Sequence, residues 1–146
     1  MCAPASPLGT RIRTATACGT VFEQQYRLNP FDVADATGGT DGDGLSNLAE
    51  TLAGTSPTNS ASFFGVTTIA QESNDVRVTW MTGLGRTNVL ECTADATDSY
   101  PDDFAGIFTV TNAAAGTTNY LDVGGATNFP SRYYRIRLDL GLPCSP

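Results

Sequence analysis

Asp41, Asp43 and Glu50 are the residues best placed to do chemistry, in the run Thr40-Asp41-Gly42-Asp43-Gly44-Leu45-Ser46-Asn47-Leu48-Ala49-Glu50. Asp41 and Asp43 alternate around a tight bend, so both carboxylates can point inward. Gly44 lets the backbone turn sharply over an ion, and Glu50, seven residues after Asp43, sits where a helical glutamate closes a cage from below. All the donors are hard oxygens and no soft ligand is near, which predicts a Ca2+ loop. Such a loop says what holds a chain together and does not by itself name an activity.

Flanking elements must position these carboxylates. Val21–Tyr26 reads as a short helix stopped by Asn29-Pro30, and Leu45–Ala53 as a second, with Gly54 as its C-terminal cap and Pro57 barring continuation. Leu45, Leu48 and Leu52 form one apolar stripe, expected to pack on Phe22 and Tyr26. So small a helix pair cannot bury a real core, and a metal is the expected staple. Three segments follow: an arm over 1–20, a calcium-binding helix-loop-helix module over 21–62 and a β-sandwich domain over 63–146.

The runs Gln25-Tyr26-Arg27-Leu28-Asn29-Pro30-Phe31-Asp32, Asp41 through Glu50, and Leu52-Ala53-Gly54-Thr55-Ser56-Pro57 resemble the thrombospondin type 3/dockerin-like calcium repeat of bacterial secreted and surface proteins. There the repeat often precedes a fibronectin-like domain, which Asn74–Trp80, Thr118–Val123 and Arg132–Leu138 resemble. The resemblance implies side-chain ligation by Asp41 and Asp43, a carbonyl from Leu45, Asn47 directly or through water, and both oxygens of Glu50. Gly39 stands where the family has its first Asp, and Ser56 replaces the Asp of the Gly-Thr-Asp-Pro signature. One cation is therefore expected rather than a chain of them, with Asp35 or Asp32 replacing the missing ligand. These modules ride on many proteins, so the resemblance speaks to architecture and little to activity.

The β segment alternates over Phe64–Ala70, Val76–Met81, Asn88–Thr93, Ile107–Thr111, Asn119–Val123 and Tyr133–Leu140, with turn residues between. The predicted fold class is mainly β: a small helical calcium module followed by an antiparallel immunoglobulin- or fibronectin type III-like sandwich anchored on Trp80.

Composition narrows the function. The 146 residues carry a net charge of −7 with no histidine, and all eight basic residues are arginine. That excludes a Ser-His-Asp triad, a Cys-His pair, a His-ligated metal and lysine Schiff-base catalysis. An acidic chain without a basic patch is a poor binder of nucleic acid or anionic membrane. No apolar run approaches the ~20 residues that cross a bilayer. Met1-Cys2-Ala3-Pro4 is not a signal peptide, lacking a basic and an apolar region.

Cys2, Cys18, Cys92 and Cys144 include no C-x-x-C pair, so a zinc site is not expected. Their even number beside a calcium loop suggests an oxidising compartment. Of three possible pairings, Cys2–Cys18 with Cys92–Cys144 keeps each bridge within one segment; four free thiols is the alternative.

Asp95, Asp98, Asp102 and Asp103 crowd one loop, read as solvated surface before a second calcium site or paired-carboxylate hydrolysis. Phe63, Phe64, Tyr100, Phe104, Phe129 and Tyr133 could form a sugar-stacking face, but read first as core or edge. Arg132, Arg135 and Arg137 are expected to pair with acidic neighbours across strands. The expected function is a non-catalytic extracellular or cell-surface structural protein, a calcium-stabilised subunit of a filament, appendage or adhesive assembly that self-associates head-to-tail. A carbohydrate-binding or linker module of a secreted enzyme is the alternative. The alternating Thr10-Arg11-Ile12-Arg13-Thr14 is β-compatible, and residues 1–20 are expected to lie on a neighbouring subunit.

Overall fold

The computed structural model describes residues 24–29, 32–94, 103–128 and 131–141. The arm over 1–20, Phe22, Cys2, Cys18, Cys144, Asp95, Asp98, Tyr100, Asp102 and Phe129 lie outside them.

The protein is mainly β. Among the described residues, six antiparallel strands follow the short helices α1 (Val33–Thr37) and α2 (Asn47–Ala53): β1 (Gly65–Glu72), β2 (Asp75–Thr82), β3 (Thr87–Thr93), β4 (Ala105–Val110), β5 (Gly116–Asp122) and β6 (Tyr133–Asp139). They form two three-stranded sheets, β1-β2-β5 and β4-β3-β6, consistent with a β-sandwich. Each strand matches a predicted alternating run to within a few residues. Residues 24–26 are helical, within the first predicted helix, and α2 lies within the second. Helix α1 was not anticipated: Asp32 caps it, accepting a hydrogen bond from the Ala34 N–H, and five residues are too few to show a periodicity.

The period-2 pattern explains the core. On β2, Val76, Val78 and Trp80 face inward and are buried. Leu90 meets them from β3, with Ile107, Tyr134 and Ile136 packed around. Trp80 is 0 % exposed, and its indole N–H donates to Asn88 Oδ1 at 2.9 Å. A buried tryptophan needs such a partner, and Asn88, equally buried, supplies it. On one flank Phe108 of β4 stacks on Tyr120 of β5 with ring centroids 4.8 Å apart, closing the space between the sheets there.

Register places the start of β1, the β2–β3 turn and the end of β6 at one end of the body: Gly65 pairs with Met81, and Asp139 with Thr87. The far end is tied by Gly124 N–H donating to Asp75 Oδ1 and Ala126 N–H to the Asn74 carbonyl. Between the sheets there, Asp122 of β5 accepts the Tyr134 hydroxyl at 2.7 Å and pairs with Arg132 at 2.5 Å. Burial, and then Asp122, push the tyrosine's pKa up.

The helical segment docks on the β2–β3 turn. Gly54, in the left-handed region at φ 73°, ends α2, and its carbonyl accepts the Leu84 N–H at 3.0 Å. A Cβ at Gly83 would lie 1.8 Å from the Ala53 carbonyl oxygen, so only glycine permits this approach. Arg86 donates to the Thr51 carbonyl at 2.8 Å, placing a cation at the C-terminal end of α2.

Helix α2 differs from the sequence expectation in the face it buries. Its buried residues are Asn47, Glu50 and Ala53, whereas Leu52 is 39 % exposed and Leu45 and Leu48 are half-buried. The polar face turns toward the loop and Ala53 toward the turn, so electrostatics and docking outrank the leucine stripe.

Candidate metal centre

The loop is built from its own side chains. Asp41 Oδ1 accepts the Asp43 N–H at 3.2 Å, and Asp43 Oδ1 accepts the Leu45 N–H at 2.7 Å. These Asx turns curl the chain. Each aspartate thus commits one oxygen to the backbone and keeps the other for the interior. Ser46 then caps α2, accepting the Ala49 N–H. One turn later Glu50, fully buried, faces the same point.

Ligand atoms of Asp41, Asp43 and Glu50 all lie within 4.8 Å of one another. Asp41 Oδ2, Asp43 Oδ2 and both Glu50 oxygens are buried and accept no hydrogen bond among the described residues. Burial, then the charges of Asp41 and Asp43, raise the Glu50 pKa from 4.5 to about 7. A buried polar atom without a partner is costly, and four carboxylate oxygens facing one another are more so. Their chemistry fits a hard, oxygen-seeking cation.

The other expected ligands have diverse placements. Leu45 lies at the loop's end, and its carbonyl oxygen stands 2.5 Å from where a Cβ on Gly39 would be. That close approach explains glycine at 39, where the resembled repeat carries Asp. Asn47 is buried, but its amide is engaged: Oδ1 accepts the Thr40 hydroxyl, and Nδ2 donates to the Asp35 carbonyl at 2.8 Å. Asp35 Oδ2 accepts the Asn29 N–H at 2.6 Å. Asp35 and Asn47 therefore brace the loop against α1, while Asp32 is spent on the α1 cap. Nothing in the local pattern marks this brace, because its partners are twelve residues apart and carry no periodicity.

Cys92 is a buried free thiol, and Cys144, its expected bridge partner, lies outside the described residues. Cys92 pairs in register with Tyr134 of β6. Burial raises its pKa above the ordinary 9.0.

The arginines pair across strands as expected. Glu91 accepts from Arg135 at 2.7 Å and Arg137 at 2.9 Å. Burial pushes its pKa up, but the two guanidiniums outweigh it and hold the carboxylate below its usual range. Arg135 also lies over the Phe104 ring, 4.2 Å from its centroid, so Phe104 and the Phe108–Tyr120 stack are engaged within the body. Asp103 precedes β4, and Phe63 and Phe64 are half-buried before β1. Among the described residues no helix is long and apolar enough to cross a membrane. Comparisons with protein-family models, curated proteins and solved structures found no match for this chain.

Proposed function

We propose that this chain is a non-catalytic structural module of the extracellular or cell-surface kind, made rigid by one Ca2+ held at Asp41, Asp43 and Glu50, and acting as a subunit of a larger assembly. The observation that carries the reading is the convergence of four buried, unpartnered carboxylate oxygens within a segment that has little apolar core of its own. A divalent cation would turn the mutual repulsion of these groups into attraction. The docking of α2 on the β2–β3 turn would pass that rigidity to the sheets. Strand order supports an immunoglobulin- or fibronectin type III-like sandwich: the chain crosses from β2 to β3 between sheets, β5 returns beside β2, and β6 beside β3. Extracellular calcium modules bind at about 10⁻⁴–10⁻³ M, which suits a millimolar outside pool.

Melting the protein in 10 mM Ca2+ and in excess chelator tests this. At about 100 times Kd, mass action adds about 2.7 kcal/mol, a rise on the order of 10 °C for a domain of this size. Asp43→Asn should abolish most of the rise while leaving the chelated melt little changed. Equal melting temperatures with and without Ca2+ in the parent protein would overturn the proposal.

A further inference from the structure

The two flanks of the body are closed unequally. The β4/β5 flank is bridged by the Phe108–Tyr120 stack, which leaves Phe108 36 % exposed. On the β1/β6 flank, Ile69 pairs with Val78 and so faces between the sheets, yet it is 54 % exposed while Val78 is completely buried. Leu138 pairs with Asn88 on the inner side of β6 and is only half-buried, and Leu140 beyond it is 46 % exposed. Neither Ile69 nor Leu138 belongs to the core cluster. Ile69 faces inward with little over it, so the missing cover belongs to the opposite sheet, beyond β6. Among the described residues no strand pairs with that edge of β6. An open strand edge beside uncovered apolar side chains is a template for an added strand.

We propose that residues 8–17 of a second copy of this chain add as a strand to the outer edge of β6 and close this seam. The inference rests on the structural reading above and names the partner of its assembly. The arm has the required alternation: Leu8, Thr10, Ile12 and Thr14 fall on one face, Arg11 and Arg13 on the other. Charge weighs on the register. The outer face of β6 carries Tyr133, Arg135, Arg137 and Asp139, so an antiparallel arm with Ile12 opposite Leu138 sets Arg11 against Asp139 and Arg13 against Arg137, whose guanidinium Glu91 already partners. Shifting Ile12 to face Ile136 would set both arm arginines against Arg135 and Arg137, which is unfavourable. The same arginines disfavour pairing of β6 with β6 of another copy.

Direction favours a second copy over the chain's own arm. The helical segment docks at the end where β6 finishes, so an arm arriving there from residue 10 would run the same way as β6. It would then pair in parallel unless it first crossed the body and turned back. Antiparallel pairing is the more stable and the commoner, and an arm from another molecule adopts it freely. Arm into edge is a heterologous contact, which propagates as a filament or closes as a ring.

The test is sedimentation velocity of the full-length protein over a concentration series in Ca2+, alongside Ile12→Glu, Thr14→Pro, Arg11→Asp, Asp139→Arg and the Arg11→Asp/Asp139→Arg double variant. The parent should form concentration-dependent oligomers. Ile12→Glu and Thr14→Pro should weaken association at least about tenfold, because one buries a charge and the other breaks the strand. Each charge reversal should weaken it, and the double variant should restore it. Hydrogen exchange should show the edge amides of β6, those that do not bond to β3, protected only in the oligomer. A parent that stays monomeric overturns the second copy as occupant; protected edge amides of β6 in that monomer would assign the seam to the chain's own arm. Oligomers indifferent to Ile12→Glu and Thr14→Pro overturn the site. None of these outcomes alters the calcium dependence of melting, so failure here is separable from failure of the calcium reading.

Discussion

Two glutamates bracket the electrostatics of this protein with opposite signs. Glu50 has its folded-state pKa raised from 4.5 to about 7, so between those values the folded state holds the extra proton. Without Ca2+ its contribution to stability is complete below about pH 4.5 and is lost as pH rises toward 7, a loss on the order of 3 kcal/mol. Glu91 is held low between Arg135 and Arg137, so its contribution is present above the unfolded value of 4.5 and is lost as pH falls below it. The chelated protein should therefore melt highest near pH 5. Glu50→Gln should remove the decline toward pH 7, and Ca2+ should remove it in the parent by favouring the charged carboxylates. Thermal melts at half-unit pH intervals check this; a chelated protein more stable at pH 7.5 than at pH 5 would contradict it. The three carboxylates were legible in the sequence because their spacing is local. The use of Asp35 and Asn47 as a brace was not, because it depends on α1, whose five residues leave no pattern.

At the scale of elements, the joint between α2 and the β2–β3 turn decides whether the protein melts as one unit. Arg86, Gly83 and Gly54 make that joint; the sequence marks Gly54 as a helix cap, but the contacts of Gly83 and Arg86 with α2 join residues far apart in the chain and leave no local pattern. The strands were legible because β-type residues alternate between turn signals, most clearly on β2, where Trp80 marks the inner face. The leucines of α2 misled because a helix that faces a carboxylate cage on one side and a turn on the other has little apolar surface to cover. Arg86→Ala should lose a charge-assisted hydrogen bond worth about 1.5–3 kcal/mol. In chelator it should split calorimetric melting into two steps, the helical segment first, with faster amide exchange over 47–54 and little change in β2. A single unshifted transition would mean that the joint carries no load.

At the scale of the whole molecule, the direction of the described strands has a mechanical meaning. The start of β1 and the end of β6 lie at the same end of the body, in different sheets. A pull applied between Gly65 and Gly141 acts across the hydrogen bonds of β1 and β6 at their mouths and breaks them one after another, like a zip. It does not load them together in shear. Pulled between these residues in an optical trap, the body should open at markedly lower force than when pulled between Gly65 and Gly124, which lie at opposite ends. Equal forces in the two directions would refute this. The body then behaves as a pendant hung from its tether, and tensile strength in any array must come from whatever spans the mouth. A strand laid along β6 from another molecule would be gripped lengthwise, so the bond between copies would bear tension in shear while each body is peeled.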